Sequence, residues 1–182
     1  MLSMVLFSLV ACGGKKAETV SVEQVMAPAV YPGKLPKWVL NPPKSRKEIC
    51  TVGSYKMKGN VSMAQQASDA RARDELSKEL EIRTDAVFKD YIQEGETNGQ
   101  IFSEELITST SEQVSSMSLS GTVVKERQVE AGTMYSMVCL DTKKFSAAFN
   151  DLEQLNEDAR NALRERADSA FDDLEAEFEI IE

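Results

Sequence analysis

The stretch Gly59–Leu80, "GNVSMAQQASDARARDELSKEL", decides how the rest of the chain is read. Gly59 and Asn60 are turn residues, and Ser62-Met63-Ala64-Gln65 fits the Ser-x-x-Gln pattern of a helix start. Met63, Ala67 and Ala70, then Leu76, Leu80, Val87 and Tyr91, recur at steps of three, four or their multiples. The spacing predicts one long helix with a single buried face. Because the first half of that face is alanine, the helix axis can approach a sheet closely, while Arg71, Arg73, Glu75 and Lys78 project elsewhere.

On either side of this helix lie segments that read as strands. Upstream, Glu48–Tyr55, "EICTVGSY", is rich in β-branched and apolar residues. Downstream, "EGETNG" breaks the helix, and Ile101–Met117 carries Phe102, Leu106 and Val114 near helical spacing, predicting a second helix despite its many Ser and Thr residues. Leu119–Val129, a glycine-containing "EAGT" turn of about four residues, and Met134–Asp141 then form a β-hairpin. A small three-stranded sheet with a long helix against it is an α+β fold. Cys50 and Cys139 fall on two of the strands, so they are either bridged, if those strands are neighbours, or two buried thiols.

Asp141 and Thr142 can cap a last helix. From Phe145 the apolar residues Phe149, Leu152, Leu155, Ala159, Leu163, Ala167, Ala170, Leu174, Phe178 and Ile181 step on by three or four. Read as one helix, this segment is nearly 40 residues, about 55 to 60 Å, longer than the domain. Residues 156–182 are then an acidic amphipathic helical extension that needs a partner, a second copy or an envelope protein, on the face bearing Leu174 and Phe178. Charge is polarised in the same sense. From Asp141 to Glu182 there are 13 acidic and 5 basic residues, whereas Lys15–Lys58 holds 9 basic and 3 acidic ones, in a chain of net charge -9. The basic residues sit in a Pro-containing leader and not on a folded basic face, which excludes a nucleic-acid binder.

The leader itself begins with eleven uncharged, mostly apolar residues, rising roughly 17 Å as a helix and so too short to span a bilayer. They end in Leu9-Val10-Ala11-Cys12, which resembles the lipobox of bacterial lipoproteins. That resemblance implies that residues 1–11 are a signal peptide and that Cys12 is acylated and becomes the first residue. It also implies that Gly13 favours sorting to the outer membrane. Residues 12–35 then read as anchor and tether, punctuated by Pro28, Pro32 and Gly33. Trp38, the single tryptophan, stands between Pro36 and Pro42-Pro43; its bulk is expected to pin the leader onto the domain.

Catalysis finds little support among the residue types present. The chain has no histidine, no C-x-x-C pair, no Gly-rich phosphate loop and no short-spaced cysteines for zinc, so no cofactor or metal is expected. Asp69 and Arg71 are the best polar candidates. Two apart on a helix, they face different directions and are expected to bond separate neighbours.

Pro36-Lys37-Trp38, Gly53, and Ala67-Ser68-Asp69-Ala70-Arg71 with Leu76, followed by the late hairpin, resemble the family of small bacterial outer-membrane lipoproteins of the Lpp-twenty type. Its relatives include flagellar lipoproteins of the FlgP kind. The resemblance covers roughly residues 35–155 and implies an antiparallel sheet backed by a long helix, similar to dodecin, with attachment to the outer membrane. It points to a scaffolding, oligomerising envelope protein, possible partner of the flagellum; the other reading is a periplasmic module for a small ligand or cell-wall glycan.

Overall fold

The computed structural model describes residues 35–95 and 99–176. They belong to one compact unit, Tyr31–Glu182. Its elements are α1 (Lys37–Leu40), β1 (Glu48–Lys56), α2 (Val61–Gln93), α3 (Glu104–Leu119), β2 (Val123–Glu130), β3 (Thr133–Asp141), α4 (Thr142–Ala148), a 3-10 turn at Phe149–Asp151, α5 (Glu157–Ser169) and α6 (Asp173–Ala176). The sheet is antiparallel throughout, in the order β1-β3-β2, and α2 backs it. The fold is α+β, as the pattern of elements predicts.

α2 is the long helix of the opening stretch, 33 residues or about 50 Å. Its start differs from the Ser62 reading. Asn60 is the N-cap, its Oδ1 accepting from the Met63 amide at 3.0 Å. The buried face is also one row over: Ala64, Ser68 and Ala72 face the sheet, while Met63 and Ala70 are exposed and Ala67 is half-buried. From Leu76 on, through Leu80, Val87 and Tyr91, the predicted face is the buried one.

Small residues let α2 lie almost on the backbone of β1. A Cβ on Gly53 would stand 2.1 Å from the Ser68 carbonyl oxygen and 2.3 Å from the Ala72 nitrogen, so only glycine fits. Two buried hydrogen bonds close the seam: Thr51 Oγ1 donates to the Ala72 carbonyl at 2.7 Å, and the Ser68 and Ser136 hydroxyls meet at 2.7 Å. Beyond the sheet, the second half of α2 carries Phe88 and Tyr91 into a cluster with Phe102, Phe145, Phe149 and Phe171, mostly edge to face.

The β2–β3 hairpin closes over two residues instead of about four. Ala131 (φ 49°) and Gly132 (φ 74°) both take the left-handed conformation that such a short turn needs. β2 is an edge strand with a register shift between Val124 and Glu126, and it exposes Lys125, Glu126 and Arg127, features that discourage edge-to-edge pairing.

The largest departure from the sequence reading is at the C-terminus. The segment is not one 40-residue helix. α4, capped by Asp141 as expected, gives way to the 3-10 turn; the chain reverses through residues 152–156, and Asn156 caps α5 by accepting from the Ala159 amide at 2.8 Å. Leu152, Leu155, Ala159, Leu163, Ala167, Phe171 and Leu174 are all buried in the main core, together with Leu80, Phe88 and Val114. The apolar stripe is therefore covered by the chain's own α2 and α4. Residues 156–176 are part of the domain and not an extension from it; Phe178 lies outside the described residues.

Candidate functional site

Three places gather the polar, aromatic and sulfur chemistry of the domain. The first is the sheet face turned away from α2. Antiparallel register sets Cys50 directly opposite Cys139, with Cα atoms 4.1 Å apart, and the two are joined in a disulfide. Of the two readings of this pair, the bridge is the one observed. Trp38 and Val52 pack on the cluster formed by the two cysteines and Met137, so α1 covers the bond. The Glu48 carboxylate completes a group of donors lying within 4.8 Å of one another. These do not offer a thiolate metal site, since the sulfurs are bonded to each other and Lys125 Nζ holds Glu48 Oε1 at 3.0 Å.

The second place is the start of α2. Asp69 and Arg71 point to opposite sides of the helix, as their spacing predicts. Asp69 reaches across to β2, where Arg127 binds it with two hydrogen bonds, Nε at 3.0 Å and Nη2 at 2.6 Å. Burial disfavours the charged form of Asp69, but hydrogen bonds from Arg127 and Ser136 outweigh it and hold the carboxyl below its ordinary pKa. The Arg127 pKa is correspondingly raised by Asp69. Arg71 turns to β1, donating to the Ser54 carbonyl at 2.6 Å with its guanidinium 5.1 Å from the Tyr55 ring centre. Each residue fastens one edge strand to the helix, which is a structural role.

The third is a cleft of about 760 Å³ between α2 and α5. Arg83 lies over the Phe171 ring at 4.5 Å and Arg166 over the Tyr91 ring at 5.0 Å. Arg83 is bonded to Glu79 at 3.2 Å and to the Ala170 carbonyl; Arg166 pairs with Glu94. Asp90, Glu165 and Asp173 complete the rim. With both guanidiniums committed to acids or carbonyls of the same chain, the cleft is a laced helix seam with an open mouth. Reading the sequence missed Arg83, Arg127 and Arg166. Only Glu79 to Arg83, four apart on one helix, left a local signal.

Of the other site residues, Leu174 is buried beside Phe171 in the core, and Cys12 lies outside the described residues. No family model matches the chain, and no curated protein matches it. The fold class, α+β, is established by the structure.

Proposed function

We propose that the chain is a lipid-anchored bacterial envelope protein, held at the outer membrane through acylated Cys12, whose domain serves as a non-catalytic scaffold. The observation that carries this reading is Leu9-Val10-Ala11-Cys12 at the end of an apolar run too short to span a bilayer. The Cys50–Cys139 disulfide supports it, because such bonds persist in oxidising compartments such as the envelope. The resemblance to the Lpp-twenty type supports membership of an envelope machine, the flagellum among them. Since the stripe from Phe145 to Leu174 is spent inside the chain, association with a second copy or an envelope protein would use another surface.

The test is metabolic labelling with a fatty acid, comparing the wild type with Cys12→Ser. Label on the wild type alone is expected; an unlabelled wild type overturns the anchor and the location argued from it. The scaffold part is tested by light scattering on the chain from Gly13 onward, where a strict monomer at high concentration overturns self-association. A second reading, a periplasmic module for a small ligand or cell-wall glycan, is favoured by the cleft between α2 and α5. Calorimetric titration with soluble muropeptides tests it, and no heat of binding overturns it.

A further inference from the structure

One end of the sheet carries a pattern that the core does not explain. β1 runs into α2 through Lys56-Met57-Lys58-Gly59-Asn60-Val61-Ser62-Met63. Buried α2 positions begin at Ala64, so Val61 and Met63 stand 52% and 56% exposed ahead of them. The amide of Met57 donates to the Gly132 carbonyl at 2.8 Å, which lays this loop beside the hairpin turn. There Val129 adds a side chain 45% exposed. Lys56 and Lys58 are exposed, and they are the only charges between Ile49 and Ser68. Glu130 on the neighbouring hairpin is half-buried.

From this we infer that the 56–63 loop and the adjoining hairpin tip form a second, protein-made contact with an anionic lipid surface, Val61 and Met63 entering the headgroup region and the two lysines meeting lipid phosphates. Exposed apolar side chains interleaved with lysines, with no carboxylate in residues 56–63 and Glu130 of the hairpin half-buried, are what an interfacial segment requires. A second copy is the poorer occupant, since apposing two such ends would bring Lys56 and Lys58 against their own equivalents. The inference rests on the lipid-anchor reading for its setting. Gly13 to residue 34 is 22 residues of chain between anchor and domain, spanning at most about 75 Å, so an anchored domain never leaves the neighbourhood of the bilayer. A contact too weak to recruit a free protein is sufficient there, because tethering makes it intramolecular.

The test uses unacylated chain from Gly13 to Glu182, which contains the whole compact unit Tyr31–Glu182, floated with vesicles of phosphatidylcholine alone or of equal parts phosphatidylcholine and phosphatidylglycerol. Flotation with the anionic vesicles only is expected. Lys56→Glu/Lys58→Glu should weaken the partition at least tenfold, each lysine near such a surface being worth roughly fivefold before charge reversal is counted. Met63→Asp should weaken it too, and Lys89→Glu, at the far end of α2, should not. Circular dichroism melts of the variants guard against unfolding. Absence of flotation, or equal flotation of the Lys56/Lys58 variant, overturns the inference. So does a vesicle-independent dimer abolished by Met63→Asp. Because no acyl chain is present, these outcomes are independent of whether Cys12 is labelled in cells.

Discussion

Replacing Gly53 by alanine is the smallest change that should do the most damage. The new Cβ would sit 2.1 Å from the Ser68 carbonyl oxygen and 2.3 Å from the Ala72 nitrogen, both backbone atoms of α2. Ordinary contact begins near 3.4 Å, so the helix and strand must separate by about 1.3 Å. That displacement stretches the Thr51–Ala72 and Ser68–Ser136 hydrogen bonds from 2.7 Å to about 4 Å, beyond bonding range, and strands their buried groups. Each lost bond costs roughly 1–3 kcal/mol. A gap of this size also forfeits about a quarter to a half of the dispersion energy across the seam. The expected loss is therefore about 4 kcal/mol or more, a large share of the typical 5–15 kcal/mol of a domain. Urea unfolding followed by circular dichroism measures it, with Gly59→Ala as comparison. Gly59 has φ +89° but open space around it, so alanine there pays only backbone strain of about 1–2 kcal/mol. If Gly53→Ala costs no more than Gly59→Ala, the close approach of α2 to β1 is wrong.

Other expectations concern the disulfide, the C-terminal segment and the Asp69–Arg127 pair. Closing a loop of 89 residues should stabilise the domain by up to about 4.5 kcal/mol, so Cys50→Ala/Cys139→Ala should lower the urea midpoint; a difference under about 1 kcal/mol contradicts the loop-closure account. The fluorescence of Trp38, packed on that bond, should rise when the disulfide is removed, and an unchanged spectrum would contradict the packing. Phe171→Ala should cost about 3–5 kcal/mol in a guanidinium melt, whereas on a solvated extension it would cost next to nothing. Asp69 has a folded pKa below its unfolded value, so its contribution is present above about pH 4 and is lost as the pH falls through the lowered folded value. Asp69→Asn should remove about 0.5–1 kcal/mol at neutral pH and flatten that part of the acid limb; identical acid profiles of variant and wild type would refute it.

How far the fold was legible depended on whether local signals and tertiary contacts agreed. The hairpin and the length of α2 are written in periodicity and turn residues, and both stand. The sheet-facing row of α2 was misread because a serine sits in its middle: Ser68 looks polar in sequence, yet Ser136 satisfies its hydroxyl from across the seam. At the C-terminus, apolar spacing continues unbroken through residues 149–156 even though the chain reverses there. A turn that keeps both flanks on one core preserves the three-and-four rhythm, and only Asn150-Asp151 and the cap Asn156 mark the break. Of the candidate sites, the opposition of Cys50 and Cys139 depended on strand order, which periodicity does not encode. Apart from the local Glu79–Arg83 pair, the bonds of Arg83 to Asp173, Arg127 to Asp69 and Arg166 to Glu94 join residues 58 to 90 apart, beyond any local pattern.

The bond between Cys50 and Cys139 also divides the chain topologically. β1 beyond Cys50, α2, α3, β2 and most of β3 lie within one covalent ring, while α4, α5 and α6 hang outside it. A single backbone cut anywhere between Thr51 and Val138 therefore leaves one linked molecule, which separates into two fragments only after reduction. A cut at residues 152–156 instead leaves a separate C-terminal peptide held only by non-covalent contacts, its packing and the bonds that Arg83 and Arg166 make across the seam. The protein thus has one region that tolerates a nick and one that does not, and the disulfide draws the line between them.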